Sequence, residues 1–428
     1  MAAPQPKPFE IAIIGGGIAG ATLAIAFLKR SIPFTLYEQG HAFSEIGAGV
    51  ALSPNAVHAM KLCDPAVHAA FQKVATKNGW ESKRNTYFDI LDGTSMVEKD
   101  LKELFTLANS QGQNAVHRAY FMDELSKQIP EQMCRFRKRL QSVDKDQETG
   151  KLTMRFTDGS SAQADAVIGC DGIKSRTRAL VVGEDHPGMR AQYTHKYAYR
   201  GVIPMEKAVE ALGEERAVNG CLWLGPDAHM LSYPINGGKT FNMFGAVTDP
   251  GDWPSMDTLT APATKEQALK DYEKFGPAIK KQIQLCEDNL ERWALFDCAE
   301  HPLPYYNKGR IVVVGDAAHA VTPHHGAGAG FCIEDSAVLA CLLEDERVRS
   351  VKDLEAVFEA YNANRIERTQ WLVATSRKTG DLYEFKDEAG RDMAKVEEIM
   401  RERYEKVWNF DIEQAVREAR KDLGRRLK

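Results

Sequence analysis

The sequence predicts an α/β protein in which a parallel sheet covered by helices carries a second, mostly antiparallel sheet as an insertion. The first observation is an N-terminal strand–helix–strand unit, in which IAII precedes a glycine-rich turn and IPFTLYE follows the helix. The second is a change to a two-residue hydrophobic period between about residues 190 and 255. The third is the β-branched run IVVV after residue 310, which returns to the first sheet and makes that domain discontinuous.

The remaining elements follow from turn and capping residues. YFDILDGTSM, residues 87–96, is expected to form a pair of strands around the turn dipeptide Asp92–Gly93. Residues 262–286 are expected to be helical, since Thr264 and Gln267 fit a capping box. From residue 350 onward the spacing of apolar residues indicates helices.

These elements divide the chain into three parts. The first domain is expected to comprise residues 1–75, 110–185 and 295–345, and the inserted domain residues 76–109 and 186–294. The C-terminal helical region then covers residues 346–428. At 428 residues the chain is long enough for two domains with separate cores.

Composition and charge argue against several classes of protein. The formal net charge of −5 offers no general attraction to nucleic acid or to anionic lipid. The N-terminal region has no apolar run near the roughly 20 residues of a membrane span, and MAAPQPKPFE lacks the apolar segment of a signal peptide. The eight cysteines are scattered without a C-x-x-C pair, which argues against zinc and against a disulfide framework. We therefore expect a cytoplasmic protein with no metal, membrane or nucleic acid as partner.

The glycine-rich turn after the first strand has the spacing of a dinucleotide-binding fingerprint. Its three glycines form G-x-G-x-x-G between a strand and a helix, which allows a tight turn, close approach of a pyrophosphate and close helix packing. The helix start offers free N–H groups to phosphate, and the acid ending the second strand can accept hydrogen bonds from a ribose. A nicotinamide or a flavin dinucleotide would suit this turn. The predicted binding residues here are Gly15, Gly17, Ile18, Ala19, Gly20 and Glu38.

A second segment, VVVGDAAHAVTPHHGAGAG over residues 312–330, favours a flavin. Asp316 follows a buried strand, at the edge where α/β sheets hold their ligands. The alanines and glycines after it remove side-chain bulk, so a flat three-ring system can lie against the backbone. Close strand–helix packing also selects small residues, but it does not account for the acid, the proline and the two histidines in the same segment.

Three motifs together resemble one enzyme family. GGGIAG with its downstream glutamate, CDGIKSRTR and GDAAHAVTPHHGAGAG occur in the order and at the spacing of the group A FAD-dependent aromatic monooxygenases. Over essentially the whole chain, the sequence is most similar to their salicylate hydroxylase-like branch, which includes fungal dearomatising phenol hydroxylases of secondary metabolism. The resemblance implies a para-hydroxybenzoate hydroxylase-like fold: a Rossmann-like FAD-binding domain, an inserted substrate domain and a C-terminal helical segment. It also implies FAD as cofactor and NADPH or NADH as co-substrate.

The resemblance further implies which residues hold FAD. Asp316 matches the position that hydrogen-bonds the ribityl or pyrophosphate region, and the small residues after PHH match the lining of the isoalloxazine. Arg118 matches an arginine that reaches the flavin, and Asp171 lies in a motif associated with both FAD and NAD(P)H. The loop EIGAGV matches the segment beside the dimethylbenzene ring. The implied cofactor-binding residues are Gly49, Val50, Arg118, Asp171, Asp316, Pro323, Gly328, Ala329 and Gly330.

The second sheet is expected to bind the substrate beside the site where O2 reacts. In this family a flavin C4a-hydroperoxide transfers the oxygen, and because it is a weak electrophile the ring must be electron-rich, best as a phenolate in a dry pocket. Arg200 and Tyr233 match residues that hold the phenolate in this branch, and His229 matches a pocket position. His324 or His325 is a candidate for taking the phenol proton. The expected product is a catechol or a dearomatised ring.

Alternatives stay open at this point. From the sequence alone, Arg200 could make a surface salt bridge, Tyr233 could be an ordinary sheet aromatic, and either histidine could serve a tight turn. A flavin dehydrogenase or reductase that does not use O2, or a non-catalytic flavin-binding protein, would share this architecture. A homodimer is also compatible with the sequence.

Overall fold

The structure, a computed structural model, describes residues 6–43, 49–97, 101, 103–255 and 257–428. The strands are β1 (Ile11–Ile14), β2 (Phe34–Glu38), β3 (Gly49–Ala51), β4 (Thr86–Asp92), β5 (Glu103–Ala108), β6 (Ala115–His117), β7 (Cys134–Phe136), β8 (Leu140–Lys145), β9 (Leu152–Phe156), β10 (Ser161–Ala164), β11 (Ala166–Gly169), β12 (Gln192–Pro204), β13 (Cys221–Gly225), β14 (Ala228–Ile235), β15 (Thr240–Thr248), β16 (Thr260–Thr264), β17 (Asn289–Asp297), β18 (Asn307–Lys308) and β19 (Ile311–Val313). The helices are α1 (Ile18–Lys29), α2 (Pro54–Cys63), α3 (Pro65–Val74), α4 (Arg118–Ser126), α5 (Arg176–Val182), α6 (Met205–Leu212), α7 (Glu214–Val218), α8 (Lys265–Asp271), α9 (Pro277–Gln284), α10 (Asp316–His319), α11 (Gly328–Glu344), α12 (Leu354–Tyr383), α13 (Met393–Trp408) and α14 (Ile412–Arg426).

The first large sheet has the order β18-β19-β11-β1-β2-β7 and is parallel except at the edge pair β18–β19. Strand β1 is buried on both faces. Ile11 and Ile13 pack into the core that includes α1 and α11, whereas Ala12 and Ile14 pack against the small sheet β10-β9-β8. Burial on both faces explains why this strand is a continuous apolar run, and the glycine turn follows at its carboxyl end.

The second large sheet has the order β16-β17-β12-β15-β14-β13-β4-β5, and its neighbours are antiparallel except β13 with β4. Its strands come from residues 86–108 and 192–297. On one face Tyr199 packs in a core with Ile279 of α9. On the opposite face Tyr233 packs in a core that contains residues of the C-terminal helices. The prediction of a second, mostly antiparallel sheet is confirmed.

The C-terminal helices connect the two sheets. Helix α12 is 30 residues long and contacts both β18 of the first sheet and β13 of the second. Its buried Arg365 pairs with Glu334 and Asp335 of α11 at 2.8 and 2.7 Å. Buried charges are tolerated here because each carboxylate has a guanidinium partner. Over the described residues, the helices lack the combination of length and hydropathy that a membrane span requires.

Two local expectations differ from the structure. Strand β4 ends at Asp92, the first residue of the expected turn dipeptide. Its partner β5 does not follow directly but begins at Glu103. The helix expected over residues 262–286 is two helices, α8 and α9, preceded by the strand β16. The capping box is present at the start of α8. The two helices separate at Gly276, where a Cβ would lie 1.9 Å from the carbonyl oxygen of Ser95, so the chain leaves the helical path to pass close to that backbone.

Candidate active site

Two connected cavities lie between the sheets. The inner cavity is bounded by the second sheet on one side and by the segment 314–332 on the other. The outer cavity extends from the glycine turn along the end of the first sheet. Both have Gly17, Arg118, Cys170 and Gly172 in their walls, so a long ligand can extend from one into the other.

The glycine turn forms the outer cavity from backbone. Gly15 has a positive φ of 102°, and a Cβ there would lie 2.3 Å from the carbonyl oxygen of Cys170. A Cβ at Gly20 would lie 1.9 Å from the Gly15 carbonyl oxygen, so this glycine allows α1 to pack on the turn and does not line either cavity. Helix α1 begins after Gly17, which offers no side-chain cap, and Ile18 and Ala19 line the inner cavity. The first N–H groups of α1 are therefore available to a phosphate.

Two acids beside the outer cavity are engaged by the protein itself. Glu38 accepts hydrogen bonds from the N–H groups of Gly16 and Gly40 at 2.6 and 2.7 Å. A carboxylate oxygen can accept more than one hydrogen bond, so Glu38 can also accept one from a ribose hydroxyl. Asp171 accepts from Ser175 Oγ at 2.5 Å and from backbone N–H groups at the start of α5. The Asp171 carboxylate thus fixes this helix start, and because Asp171 also lines the outer cavity its expected role in cofactor binding stays a prediction.

The second glycine-rich segment forms one wall of the inner cavity. Helix α11 begins there without a side-chain cap, so its first N–H groups also remain available. Gly330 differs from the expectation, because it packs against α2 and does not line the cavity; a Cβ there would lie 3.0 Å from the Cβ of Ala56. The predicted residues that do line this wall are Asp316, Pro323, Gly328 and Ala329.

Strand β3 brings the first domain into contact with the second sheet. Gly49 and Val50 line the inner cavity. The Gly49 N–H donates to Asn242 Oδ1 at 3.0 Å, and a Cβ at Gly49 would lie 2.6 Å from the Tyr233 hydroxyl oxygen. The rest of the loop EIGAGV, residues 45–48, lies outside the described residues.

The second sheet supplies the other wall through side chains at alternate strand positions. His229, Leu231 and Tyr233 lie on one face of β14, because successive side chains of a strand point to opposite faces. In the register across the sheet, Leu231 pairs with Phe244 of β15, which in turn pairs with Arg200 of β12. Three strands thus present one continuous surface to the small-residue wall.

Arg200 is a half-buried cation in the wall of the inner cavity. Its guanidinium lies 4.3 Å from the ring centre of Trp293, and its Nε is buried without a hydrogen-bond partner. Within the described ranges, Arg200 forms no ion pair. Burial lowers its pKa, the Arg118 charge lowers it further and Tyr233 opposes the shift, but an arginine remains charged in proteins. The surface salt bridge considered for Arg200 is therefore not what the structure shows.

Tyr233 offers a neutral hydroxyl beside that cation. The side chain is 4% exposed, and burial raises its pKa although Arg200 acts in the opposite direction. At neutral pH the hydroxyl is protonated and can donate a hydrogen bond. Arg200 and Tyr233 together form a site suited to an oxyanion.

The two adjacent histidines face different surroundings. His324 lines the inner cavity, and neither ring nitrogen has a hydrogen-bond partner among the residues described. Burial lowers its pKa well below the usual value, with a further contribution from His229, so the ring is neutral. His325 does not line the cavity; it packs against Trp371 and Tyr404, and burial lowers its pKa to about 3. The expectation of a proton-accepting role is therefore incompatible with the position of His325.

Sequence reasoning did not find several residues of the inner cavity. Asn242 accepts a hydrogen bond from β3 and lies in strand β15, where residues 241 and 243–247 are apolar or glycine. A single amide in such a run could have been recognised as a candidate functional residue. Glu384 lies 3.0 Å from His229 Nδ1, and Tyr383 and Tyr404 line the cavity from the C-terminal helices. No short-range signal marks these three residues, because only helices α12 and α13 bring the two tyrosines to the cavity and Glu384 to His229.

The geometry fits a dinucleotide that carries a flat ring. Two helices of 12 and 17 residues, α1 and α11, begin at the cavities without side-chain caps, which suits phosphates and ring carbonyl oxygens. The turn at Gly15 has no room for a Cβ, and the wall of small residues faces a sheet that carries Arg200, for which the described residues provide no ion-pair partner.

Comparison with known proteins identifies the relatives of this chain. A family described as FAD binding domain matches residues 9–376. The chain is 45% identical over 434 residues to FAD-dependent monooxygenase pigN of Monascus ruber, with 99% of this chain and 98% of that protein covered. It is 37% identical over 439 residues to salicylate hydroxylase asL1 of Sarocladium schorii, with 97% of this chain and 91% of that protein covered.

Solved structures show the same architecture. A salicylate hydroxylase solved as a substrate complex superposes with a TM-score of 0.85 and 31% identity, covering 96% of this chain and 98% of that one. HpxO of Klebsiella pneumoniae, solved with FAD and uric acid, has a TM-score of 0.72 at 22% identity and shows the fold alone. The predicted fold class is therefore confirmed.

Proposed function

The chain belongs to the FAD-binding-domain family and is an FAD-dependent monooxygenase of the salicylate hydroxylase type, and from this premise we propose that it hydroxylates a phenol with NADPH or NADH as reductant. The observation that carries the proposal is the pairing of Arg200 with Tyr233. The half-buried guanidinium of Arg200, which forms no ion pair with the described residues, and the neutral hydroxyl of Tyr233 line the cavity opposite the small-residue wall, and a phenolate oxygen would accept hydrogen bonds from both.

The first domain would hold FAD through backbone at the outer cavity and small residues at the inner one. The start of α1 would bind the pyrophosphate and Glu38 the ribose, while Gly328 and Ala329 would line the place of the flavin ring. FAD, when bound, supplies the activation of O2 and accepts hydride from the nicotinamide. The protein contributes binding, orientation and exclusion of water.

The electron demand of the reaction accounts for the arginine. Ionisation of a phenol raises the electron density of its ring, and Arg200 stabilises the resulting charge in surroundings that exclude water. Tyr233 donates a second hydrogen bond to the same oxygen. Two hydrogen bonds to one phenolate oxygen would also fix the position of the ring carbon next to it. A phenol of the salicylate or resorcylic type therefore suits the site. A hydrogen or a carboxylate at the attacked carbon would leave as a proton or as CO2 and give a catechol, whereas a substituent that cannot leave, such as an alkyl group, would give a dearomatised product.

The experiment measures cofactor, reductant and oxygen together. The FAD-loaded protein is assayed for NADPH and NADH oxidation with salicylate, resorcylic acids and resorcylaldehydes, under isotopically labelled O2. We expect one phenol class to stimulate oxidation and to gain one labelled oxygen atom. Stimulation without label in the product would indicate a reductase, and the absence of stimulation by any of these phenols would contradict the proposal.

A further inference from the structure

A buried carboxylate lies behind the histidine of the second sheet. Glu384, directly after α12, has one oxygen 3.0 Å from His229 Nδ1. Its other oxygen contacts Lys196 Nζ and accepts a hydrogen bond from Thr248 Oγ1 at 2.6 Å. Glu384, His229 and Lys196 are all buried. This arrangement joins the C-terminal region to two strands of the second sheet.

The charge of Glu384 determines which nitrogen of His229 carries the proton. Burial by itself raises the pKa of Glu384, but the His229 hydrogen bond and the Lys196 charge outweigh burial and lower this pKa to about 2. The carboxylate is therefore ionised at neutral pH and can only accept. When the imidazole carries one proton, Nδ1 donates it to this carboxylate and the lone pair lies on Nε2.

The free nitrogen belongs to a residue of the cavity wall. His229 lines the inner cavity on the same face of β14 as Tyr233. In the part of the chain that the structure describes, Nε2 has no hydrogen-bond partner. The ring of His324 lies 5.2 Å away, centre to centre, and is neutral.

We propose that Glu384 is a positioning residue and that Nε2 of His229 is the base that accepts the phenol proton. The inference rests on the phenolic substrate proposed above. The phenol O–H bond breaks, the electron pair stays on oxygen, and an N–H bond forms at Nε2. Arg200 stabilises the phenolate, while Glu384 remains a carboxylate and balances the imidazolium, as carboxylates do behind other histidine bases.

The other titratable groups around this pair do not replace it. Asp381 pairs with Lys196 at 3.1 Å. The Tyr272 hydroxyl donates to the backbone oxygen of His229, and the Tyr383 ring packs edge-on against His229. Burial raises the pKa of both tyrosines, so neither accepts a proton at neutral pH.

A metal ion is the competing explanation for the same side chains. His229, His324 and Glu384 bring possible ligand atoms within 4.8 Å of one another. Lys196, however, contacts the same carboxylate, and its ammonium repels a dication at this distance. The charges therefore favour a histidine base over a metal centre.

The test follows the proton instead of turnover. Meta-nitrophenol, which is a weaker acid than a histidinium ion, is titrated into the FAD-loaded enzyme in weak buffer, about one pH unit below the pKa of the free phenol, where an ordinary imidazole is mostly unprotonated. The phenolate absorbance reports ionisation of the bound phenol, and an indicator dye reports protons released. With wild type we expect bound phenolate without stoichiometric proton release. With Glu384→Gln we expect at least a tenfold loss of the phenolate fraction relative to wild type.

Two further variants keep the result interpretable. His229→Asn leaves the Lys196–Glu384 pair in place and should lose the bound phenolate in the same way, so it serves if Glu384→Gln does not fold. Tyr272→Phe removes the hydrogen bond that the Tyr272 hydroxyl donates to the backbone oxygen of His229 in β14. It should lower thermal stability without changing the phenolate fraction. Retention of bound phenolate in His229→Asn, or release of one proton per phenol by wild type, would overturn the inference. Failure of wild type to bind any phenol would instead remove the proposed function, and this inference with it.

Discussion

The outer and inner cavities are built from different parts of the polypeptide. The outer cavity uses the backbone: a turn at Gly15 with no room for a Cβ and a helix start without a side-chain cap. The inner cavity uses side chains such as Arg200 and Tyr233, which project from strands whose own hydrogen bonds are satisfied within the sheet. A backbone site is altered by almost any added atom, whereas a side-chain site can be changed one group at a time. We therefore expect cofactor binding to be the less tolerant property.

The largest effect should come from Gly15→Ala. The new Cβ would lie 2.3 Å from the Cys170 carbonyl oxygen at a φ of 102°, so the steric clash adds to roughly 1–2 kcal/mol of conformational strain. We expect more than about tenfold loss of bound FAD, measured as flavin absorbance per protein after purification. Gly150→Ala is the matched control, because Gly150 also has a positive φ but nothing within 4 Å of its Cβ position. Equal FAD content in the two variants would contradict the backbone description of the outer cavity.

A smaller effect is expected at Asp335, which holds the segment leading into α10. Its carboxylate accepts from Gly315 N–H at 3.0 Å and pairs with His319 and Arg365. Burial alone raises the pKa of Asp335, but these two partners outweigh burial and lower it to about 2. Because the folded pKa lies below the unfolded one, the stabilisation is full above about pH 4 and is lost as the pH falls toward 2.

Asp335→Asn tests this dependence. We expect a loss of about 2 kcal/mol in the free energy of unfolding at neutral pH, and a shallower decline in stability than wild type between about pH 4 and pH 3. Urea unfolding at a series of pH values measures both. A variant that declines with acid as steeply as wild type would show that another carboxyl group is responsible.

Arg200→Ala should separate substrate binding from cofactor binding. Removal of a charged hydrogen-bond donor costs about 2 kcal/mol, which corresponds to roughly 30-fold weaker phenol binding, while FAD content stays unchanged. Phenol titration by flavin absorbance measures both properties. Arg292→Ala is the matched control, since Arg292 also lies over aromatic rings of the same sheet and has a buried Nε, but does not line the cavity. Loss of FAD in Arg200→Ala would show that this arginine contributes to cofactor binding and would contradict its assignment to the substrate site.

The smallest effect is expected from Tyr233→Phe. The change removes one hydrogen bond to the phenolate, worth about 1 kcal/mol, and should weaken phenol binding about fivefold. Tyr197→Phe is the control, because its hydroxyl contacts Asp271 on the opposite face of the sheet. If both variants bind phenol like wild type, the hydroxyl of Tyr233 serves packing against Gly49 and not the ligand.

The same contrast explains what the sequence could predict. Glycine spacing follows directly from backbone geometry, so the turn at Gly15 and the start of α11 were predictable from local residues. Gly330 was not distinguishable from Gly328, because only two residues, about half a turn of helix, separate a position in the cavity wall from a packing contact with α2. His324 and His325 were equally suitable in sequence, and only their different surroundings show which one reaches the cavity.

Long-range contacts were beyond local reasoning. Glu384 carries no motif and approaches His229 only because α12 spans both sheets. The break between α8 and α9 depends on the backbone of Ser95, far away in the sequence. In both cases the deciding partner lies on a different segment, so no window of neighbouring residues contains the information.

The closing of the inner cavity by Tyr383 and Tyr404 also bears on biosynthesis. Their hydroxyls both donate to the backbone oxygen of His324, so the last helices complete a wall begun much earlier in the chain. Ribosomes deliver a protein from its amino end, and each domain tends to fold as it emerges. The core around β1 and α1 also includes Ile412 and Leu423 of α14, so neither cavity is complete until the C-terminal helices have emerged from the ribosome and docked.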